Sequence, residues 1–437
     1  MRITILNQFY TPDISPTAHL AASLANHRAA GGDTVTVVAS RGGYVPASAD
    51  ERNQDLGNPR VHRVWTPRLG KATILKRCMD YGVFYALAFW RLMTLPAQDV
   101  IVTLTTPPYI AWAAVVHKWL HGGAPRVILW NMDCYPDAAE RLGVMRKGSP
   151  MSSAMRWLNR RLFRQVDELV CLDTAMVDLL LSQYGPREDE KALPTTIIPN
   201  WEPAKMFPSP FGRASAPAWG KAGSLGLDGK FVVLYLGNTG YGHEFDTALD
   251  AASMLRDEPV RFLFVGGGRR WADIERGVKQ RGLTNVVMHG YVPKDETPSV
   301  MACAGCAMIT LRDEALGIMS PSKLHSNLAA ALPIAYVGPT TSNVDDAIVR
   351  FGCGVSLREG EPAALAAYLR RLAHEENFRN EQRRAARRAF DEAYCDSVTL
   401  RAFDAVIDGS NGADTHGSHR ASDVACGEPG ERFACSH

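Results

Sequence analysis

Glycine, proline and lysine lie close together in the stretch 311–333, in an arrangement that could bind an anion. A predicted strand, 306–311, leads into a loop of mostly small residues, 315–320. A helix is predicted to begin at Pro321, because the first turn of a helix tolerates the missing N–H of proline. Unpaired N–H groups and the helix dipole favour negative charge at such a start. Lys323 adds a full positive charge. The stretch predicts a diphosphate site, although many α/β proteins carry this turn without a ligand.

Two more glycine-containing loops follow predicted strands in the same half of the chain. One begins with Gly237-Asn238, and the other is Gly266-Gly267-Gly268. Glycine lets a backbone approach a phosphate or a sugar closely. Because the carboxyl ends of parallel strands meet at one edge of a sheet, these loops and the loop at Gly317 are expected to face the same point.

The first half of the chain also places polar residues after predicted strands. The loop after the strand 2–6 contains four candidates to contact a substrate, which are Asp13, Ser15, Thr17 and His19. Thr105 and Thr106 follow a second strand, and Asp133 follows a third. A carboxylate buried at the end of a strand needs a partner, so Asp133 is the principal acidic candidate. For Asp13 and Ser15, capping and turning of the chain explain the residue types equally well.

The elements that must position these residues form two α/β domains. Strands and helices alternate through 1–203 and again through 231–390, and a linker rich in Pro, Gly, Ser and Ala, 204–230, separates them. A last helix is expected at 391–408. The tail 409–437 has the polar composition of a disordered segment. The pattern predicts two doubly wound parallel sheets with their ligand loops facing a shared cleft.

Composition excludes several classes of protein. The 437 residues are 46% hydrophobic, which allows sizeable cores, and the net charge of +2 gives no indication of nucleic acid. The nine cysteines are odd in number and scattered, as is typical of a reducing compartment. Cys303 and Cys306 have CxxC spacing without a second pair, so no metal site is predicted. Met1 leads directly into a predicted strand, and no apolar run reaches the roughly 18 residues that span a bilayer. We expect a cytoplasmic protein.

Two basic segments with apolar faces indicate contact with a membrane surface. The run 60–77 carries six Lys and Arg residues and no acidic residue, and the apolar helix 81–96 follows it. The amphipathic segment 151–166 has arginines beside an apolar stripe. Each basic side chain near an anionic surface contributes about 1 kcal/mol of attraction. We expect peripheral binding to the anionic inner face of the cell membrane. The alternative is a set of core helices with solvated basic faces.

Eight short motifs in order along 2–407 resemble those of the GT-B glycosyltransferases of the retaining family 4. The motifs are Tyr10-Thr11-Pro12-Asp13; Thr105-Thr106-Pro107-Pro108; Asp133-Cys134-Tyr135-Pro136-Asp137 with Leu142-Gly143-Val144; Ile198-Pro199-Asn200-Trp201; Gly237-Asn238; Val265-Gly266-Gly267-Gly268; Gly290-Tyr291-Val292-Pro293; and Pro321-Ser322-Lys323-Leu324. The most similar branch contains the N-acetylfucosamine-transferase-like enzymes that build bacterial surface polysaccharides. The resemblance implies two Rossmann-like domains.

The resemblance also implies a reaction. A hexose would pass, with retention of configuration, from a nucleoside-diphosphate sugar in the second domain to a lipid-linked or glycan acceptor in the first. No metal cofactor is expected, because positive charge would stabilise the departing diphosphate. Asp133 and Lys323 would be catalytic. The donor-binding set would be Gly237, Asn238, Gly266, Gly267, Tyr291, Val292, Lys323, Ser326 and the amides of Gly317, Ile318 and Met319. The acceptor-binding set would be Asp13, Ser15, Thr17, His19, Thr105 and Thr106.

One part of the family pattern is absent. The family's pair of glutamates, spaced E-x7-E, aligns with Ile318 and Ser326. The second glutamate accepts hydrogen bonds from the ribose hydroxyls, and its loss would weaken donor binding by about 1.5–3 kcal/mol. Two alternatives therefore remain open, a GT-B protein that binds without turnover and a nucleotide-sugar epimerase of the same fold.

Overall fold

The computed structural model describes residues 1–13, 15–41, 57–67, 74–207 and 219–410, and it describes side chains of the helix beginning at Ile74 only from position 79. The predicted tail lies outside the described residues from position 411 onward. Part of the predicted linker (208–218) and part of the predicted basic run (68–73) also lie outside them.

The first domain is built on a seven-stranded parallel sheet with the strand order β3-β2-β1-β4-β5-β6-β7. The strands are β1 (Arg2–Leu6), β2 (Thr34–Ser40), β3 (Arg60–Val64), β4 (Val100–Leu104), β5 (Arg126–Trp130), β6 (Glu168–Cys171) and β7 (Thr195–Ile197). The central strand β4 is buried along its whole length, as expected where helices cover both faces. The beginning of the predicted basic run forms the edge strand β3, which the sequence interpretation missed.

The helices of the first domain lie on both faces of its sheet. They are α1 (Pro16–Ala30), α2 (Ile74–Met93), α3 (Ala111–Leu120), α4 (Asp137–Arg141), α5 (Pro150–Leu162) and α6 (Thr174–Tyr184). Apolar residues of α2, α3, α5 and α6 form one buried cluster with the sheet, and those of α1 belong to a separate cluster on the opposite face. No helix in the described part of the chain is both long and apolar enough to cross a bilayer.

The second domain repeats this architecture on a six-stranded parallel sheet with the order β10-β9-β8-β11-β12-β13. Its strands are β8 (Phe231–Asn238), β9 (Val260–Gly267), β10 (Val286–His289), β11 (Cys306–Thr310), β12 (Ile334–Val337) and β13 (Gly354–Leu357). Its helices are α7 (Asp246–Met254), α8 (Trp271–Arg281), α9 (Thr297–Ala302), α10 (Lys323–Ala329), α11 (Asn343–Phe351), α12 (Pro362–His374) and α13 (Glu376–Ala389). The strand order reverses between β1 and β4 in one sheet and between β8 and β11 in the other, which is where such sheets bind ligands.

The chain crosses back to the first domain at its end. A short π-helical turn, Phe390–Tyr394, precedes α14 (Asp396–Asp408), so the helix predicted at 391–408 is interrupted at Cys395. There the returning chain runs parallel to the outgoing one, because Glu202 and Cys395 form a β-bridge. The amide of Asp396 donates to the carbonyl of Glu202 at 3.2 Å.

Helix α14 is held on the first domain by an aromatic stack and an ion-pair cluster. The Phe403 ring lies 4.5 Å from the Trp130 ring and 5.8 Å from the Trp201 ring. Arg28 is buried and bonds Asp33, Asp404 and Asp408 with its guanidinium group. The last helix therefore belongs structurally to the first domain, although it follows the second in the chain.

Truncation of the aromatic side chain should loosen this helix. Phe403→Ala removes a fully buried ring, and we expect the free energy of unfolding of the first domain to fall by about 3–5 kcal/mol. Urea unfolding followed by tryptophan fluorescence measures the change, and hydrogen exchange localises it to α14. Arg401→Ala, on the exposed side of the same helix, is the matched control. Equal urea midpoints for the two variants would contradict the packing role of Phe403.

Candidate functional site

Lys323 is the first residue of α10, and its side chain reaches the loop that follows β8. The ammonium nitrogen lies 3.3 Å from the carbonyl oxygen of Asn238 and 3.4 Å from Nε2 of His243. It also lies 4.9 Å from the centre of the Tyr235 ring, within range of a cation–π contact. The cation thus lies at the point where the strand order of the second sheet reverses. The helix begins two residues later than predicted, so the prediction that it starts at Pro321 is wrong.

His243 fixes the direction of the lysine ammonium group. Its Nδ1 lies 2.7 Å from the carbonyl oxygen of Thr310. A carbonyl can only accept, so Nδ1 carries the proton and the Nε2 lone pair faces Lys323. Burial, together with the nearby ammonium, lowers the pKa of His243 to about 3. The imidazole is consequently a neutral acceptor for the lysine at physiological pH.

Lys323 itself is buried among these groups, with only part of its surface open. Desolvation lowers its pKa to about 8. The ammonium group is charged at neutral pH, and its contacts in the protein are neutral groups that do not compensate this charge. An anion entering this position would restore the interaction that the ammonium loses by leaving water.

The two glycine loops of the second domain meet beside the lysine. A side chain at Gly266, whose φ is 138°, would place its Cβ 2.1 Å from the carbonyl oxygen of Gly237. The Tyr291 hydroxyl lies 3.4 Å from Oδ1 of Asn238, and its ring covers Gly267. These five predicted donor-site residues are therefore brought together by the ends of β8, β9 and β10. Val292, the next residue, packs partly buried against the core.

The predicted cradle of three amides is not formed. The amides of Ile318 and Met319 both donate to the carbonyl of Ala315, at 3.2 and 3.1 Å. Gly317 has φ 76° and faces the first domain, where a Cβ would lie 2.6 Å from the carbonyl oxygen of Ala175. The predicted role of Gly317 was an amide contact with the diphosphate, whereas the structure shows a glycine that permits close approach between the domains.

Ser326 lies one turn into α10, half buried. Its hydroxyl donates to the carbonyl of Lys323 at 3.2 Å, as serine often does inside helices. Its contact with a ribose remains a prediction from the motif alignment. Next to it, Oδ1 of Asn327 is buried and has no hydrogen-bond partner among the described residues.

On the opposite wall, the loops after β1, β4 and β5 are bonded to one another. The amide of Gln8 donates to the carbonyl of Thr106 at 2.9 Å. The hydroxyl oxygen of Thr105 accepts from the amides of Met132 and Asp133, at 3.1 and 3.0 Å. Thr105 therefore positions the loop that carries Asp133, and its own hydroxyl proton is left to donate to another group.

The Asp133 carboxylate is open to the cleft. No donor among the described residues lies within hydrogen-bonding distance of it. Its surface is accessible to water, but protein surrounds it on most sides, and this desolvation raises its pKa. A cavity of about 30 Å³ lies beside it, with room for one water molecule. A carboxylate in this state can accept the proton or the hydrogen bond of an incoming hydroxyl.

The loop after β1 divides into structural and exposed parts. The Asp13 side chain is buried and accepts from the amide of Tyr10 at 3.3 Å. This contact agrees with the turn-forming alternative, and contact of Asp13 with the acceptor stays a prediction. The hydroxyls of Ser15 and Thr17 bond each other at 2.9 Å. His19 is accessible to solvent, but the protein around it and the charge of Lys294, a residue of the second domain, lower its pKa.

Contacts between the domains were missed from the sequence. The Cys134 thiol donates to the carbonyl of Gly317 at 3.3 Å, and Arg141 donates to the carbonyl of Leu316 at 2.9 Å. Because Cys134 follows Asp133 and Gly317 lies on the loop that leads to Lys323, these bonds bring the two predicted catalytic residues to one cleft. Each pair is more than 170 residues apart in sequence, and no local signal could have identified it.

Three or more His, Cys, Asp or Glu side chains arranged to hold a metal ion are not found in the part of the chain that the structure describes.

Comparison with known proteins identifies both domains. Residues 17–201 match the family described as Glycosyl transferase 4-like domain, and residues 221–389 match Glycosyl transferases group 1. The chain is 24% identical over 340 residues to WcaI of Escherichia coli strain K12, which is assigned to glycosyl transfer in colanic acid biosynthesis; the alignment covers 75% of this chain and 81% of WcaI. It is 25% identical over 306 residues to WbjE of Pseudomonas aeruginosa, assigned as a glycosyltransferase, with 69% and 72% covered.

Solved structures show the same fold. HepE of Anabaena, determined with UDP and glucose, superposes with a TM-score of 0.64 at 13% identity, covering 94% of this chain and 100% of HepE. WaaG, a glycosyltransferase involved in lipopolysaccharide biosynthesis, gives 0.62 at 17% identity, with 94% and 100% covered. The predicted GT-B fold is confirmed. The chain belongs to the group 1 glycosyltransferases, and it is a transferase.

The depressed pKa of Lys323 predicts how nucleotide affinity depends on pH. Above pH 7 a terminal phosphate is already fully charged, because its second pKa is about 6. The lysine loses its proton as the pH rises through about 8. The dissociation constant of UDP or another accepted nucleoside diphosphate should therefore increase as the pH rises from 7 through about 8. Calorimetry on the full chain measures it, with Lys323→Met as the variant that lacks the titrating group. An equal increase in that variant would assign the titration to another residue.

Proposed function

We propose that this protein transfers a sugar from a nucleoside-diphosphate sugar to a lipid-linked or glycan acceptor during synthesis of a surface polysaccharide. The observation that carries the proposal is the placement of Lys323 and Asp133. A half-buried cation lies at the switch point of one sheet, and an unpaired carboxylate follows the strand beside the switch point of the other. The bonds from Cys134 and Arg141 hold their loops together.

These groups correspond to the two charge changes of the reaction. The acceptor hydroxyl oxygen forms a bond to the anomeric carbon, and the bond from that carbon to the diphosphate breaks with both electrons moving to the phosphate oxygen. Lys323 stabilises the negative charge that develops there. Asp133 accepts the hydrogen bond of the hydroxyl and orients it, and the proton passes to the departing diphosphate. Because Lys323 supplies the positive charge, we expect turnover to persist in the presence of EDTA.

The finer features rest on similarity. WcaI is assigned to colanic acid biosynthesis, and the structure of HepE holds UDP and glucose. The motifs around Pro321-Ser322-Lys323-Leu324 resemble the N-acetylfucosamine-transferase-like branch, which supports retention of anomeric configuration and a hexose as the transferred group. A non-catalytic binding protein is the second candidate, because Ser326 stands where the family has a carboxylate. Screening a panel of nucleotide sugars for hydrolysis or transfer by mass spectrometry separates these functions, and an interconverted donor would indicate an epimerase.

Removal of the cation should weaken the binding of the donor. Lys323→Ala deletes a charged hydrogen-bond donor, and the affinity for the nucleoside diphosphate should fall by about 1.5–3 kcal/mol. Lys279→Ala, an exposed lysine on α8, serves as the control for lost charge. Calorimetry compares the two full-length variants. If Lys323→Ala binds as tightly as Lys279→Ala, the diphosphate lies elsewhere.

Removal of the carboxylate should affect transfer and leave the donor bound. Asp133→Asn keeps the shape of the side chain and removes its charge, so transfer should slow by a factor of about 10²–10⁴. The nucleotide affinity should not change, because Asp133 lies on the acceptor wall. Product formation by mass spectrometry and calorimetry of the same preparation provide the two readouts. Transfer at the wild-type rate would remove Asp133 from the mechanism.

We also propose that the first domain binds the anionic inner face of the cell membrane from the cytoplasm. Helix α2 buries one side, including Phe84, and exposes several large apolar residues on the other; these include Met79, Leu87, Phe89 and Trp90. On α5, Arg160 and Arg161 make no ion pair with described residues. Exposed aromatic rings and unpaired arginines within one domain are the residue types found at a membrane interface.

Vesicle flotation provides the test. The full chain should float with vesicles that contain phosphatidylglycerol and not with pure phosphatidylcholine vesicles. Raised salt should release it, because a Debye length of about 8 Å at physiological salt shortens to about 3 Å at 1 M. Equal and negligible flotation with both compositions would contradict peripheral binding through this surface.

A further inference from the structure

A second pocket lies between α3 and α5 of the first domain. Its volume is about 460 Å³, in the range of small-molecule sites. It is lined by Trp112 and Trp119 of α3, by Trp157, Leu158 and Arg161 of α5, and by Gln165. Neither the motifs nor the transfer reaction explains the presence of three tryptophans at one surface site.

The pocket has a fixed shape. The rings of Trp112 and Trp119 meet edge to face, with their centres 6.2 Å apart. Nε1 of Trp119 donates to Oε1 of Gln165 at 3.2 Å. The guanidinium carbon of Arg161 lies 5.4 Å from the centre of the Trp157 ring. These contacts hold the walls in place, while Trp119 and Trp157 remain 54% and 55% exposed.

The charge at the pocket is positive and uncompensated. Two other arginines of this region are paired, since Arg156 bonds Asp137 and Glu140, and Arg164 bonds Glu190. No carboxylate among the described residues pairs with Arg161, and no acidic residue lines the pocket. A guanidinium group in this setting is suited to a phosphate, which it can contact with two parallel hydrogen bonds.

The walls favour an amphiphile over a sugar. Indole rings and Leu158 bind apolar groups. Tryptophan is common at sites where one end of a ligand is apolar and the other end contacts water. A sugar site also needs several groups that accept hydroxyl protons, but among the lining residues only Gln165 carries a side-chain oxygen, and Trp119 already uses one of its two lone pairs. Next to the pocket, Leu120 is 66% exposed at the end of α3, which extends the apolar surface.

We propose that this pocket binds one anionic phospholipid of the membrane, with its phosphate on Arg161 and its glycerol and proximal acyl groups among the tryptophans. The proposal rests on the peripheral membrane binding described above, and it gives that surface a specific lipid site. Occupancy would set α3 and α5 along the membrane surface. The pocket shares no lining residue with the cavity beside Asp133, so a bound lipid would leave that cavity free.

Soluble short-chain lipids test the pocket without a membrane. The full chain should bind monomeric dihexanoylphosphatidylglycerol saturably in calorimetry and should bind dihexanoylphosphatidylcholine and inorganic phosphate far more weakly. Arg161→Gln should raise the dissociation constant for the anionic lipid about tenfold, as expected for a charge-assisted contact, while Arg160→Gln on the same helix should change it by less than about twofold. Trp157→Leu should weaken binding, and Trp90→Leu, an exposed tryptophan on α2, should not.

Each other outcome overturns the proposal. Equal losses in Arg161→Gln and Arg160→Gln would show that the attraction is only a diffuse effect of charge. Equal binding of the choline lipid would remove the role of Arg161, and no saturable binding would show that the pocket is not a lipid site. Vesicle flotation of the same proteins distinguishes failure of the lipid pocket from failure of the proposed peripheral membrane binding. If the wild-type protein floats with anionic vesicles but does not bind the soluble lipid, the lipid pocket is contradicted and the proposal of peripheral membrane binding is supported.

Discussion

The packing of the loop 315–320 against the first domain determines where the two halves of the site stand. One buried apolar cluster includes residues of both domains, among them Met176 and Ile318. Above it, the carbonyls of Leu316 and Gly317 accept from Arg141 and Cys134. Any side chain at Gly317 would collide with helix α6. Because the anomeric carbon and the acceptor oxygen must approach within about 3–3.5 Å, a contact that sets the spacing of the two walls also sets the chance of reaction.

Most strands could be predicted from the sequence because a buried parallel strand is a short apolar run between turn residues. Strand β3 was missed for the opposite reason, since the sequence Arg60–Val64 is basic and lies at the sheet edge. Strand β13, at the edge of the second sheet, is only half buried. In both cases the extended conformation depends on pairing with a neighbouring strand and not on the sequence pattern of the segment itself. The late start of α10 also depends on its surroundings, because Pro321 is equally acceptable just before a helix.

The site could be located from the sequence because ligand loops in doubly wound sheets follow the strands at the switch point. Its internal bonding could not. The tautomer of His243 depends on the carbonyl of Thr310, 67 residues away, and the amides of the 315–320 loop turn inward because the first domain occupies the space outside. The motif resemblance predicted Lys323 as the cation of a diphosphate site, but the neutral imidazole and the aromatic ring that contact it were visible only in three dimensions.

The parallel bridge between Glu202 and Cys395 has a mechanical consequence. The chain passes between the domains twice, and at this bridge the two passages are bonded side by side and run in the same direction. Two connections at one place resist sliding and twisting between the bodies they join, and they leave bending as the soft motion. The cleft can then widen or narrow about one axis through the bridge. In a rotation about that axis, displacement would grow with distance from the bridge, so the loop tips of the cleft would move more than Trp201, which is next to Glu202 in the chain.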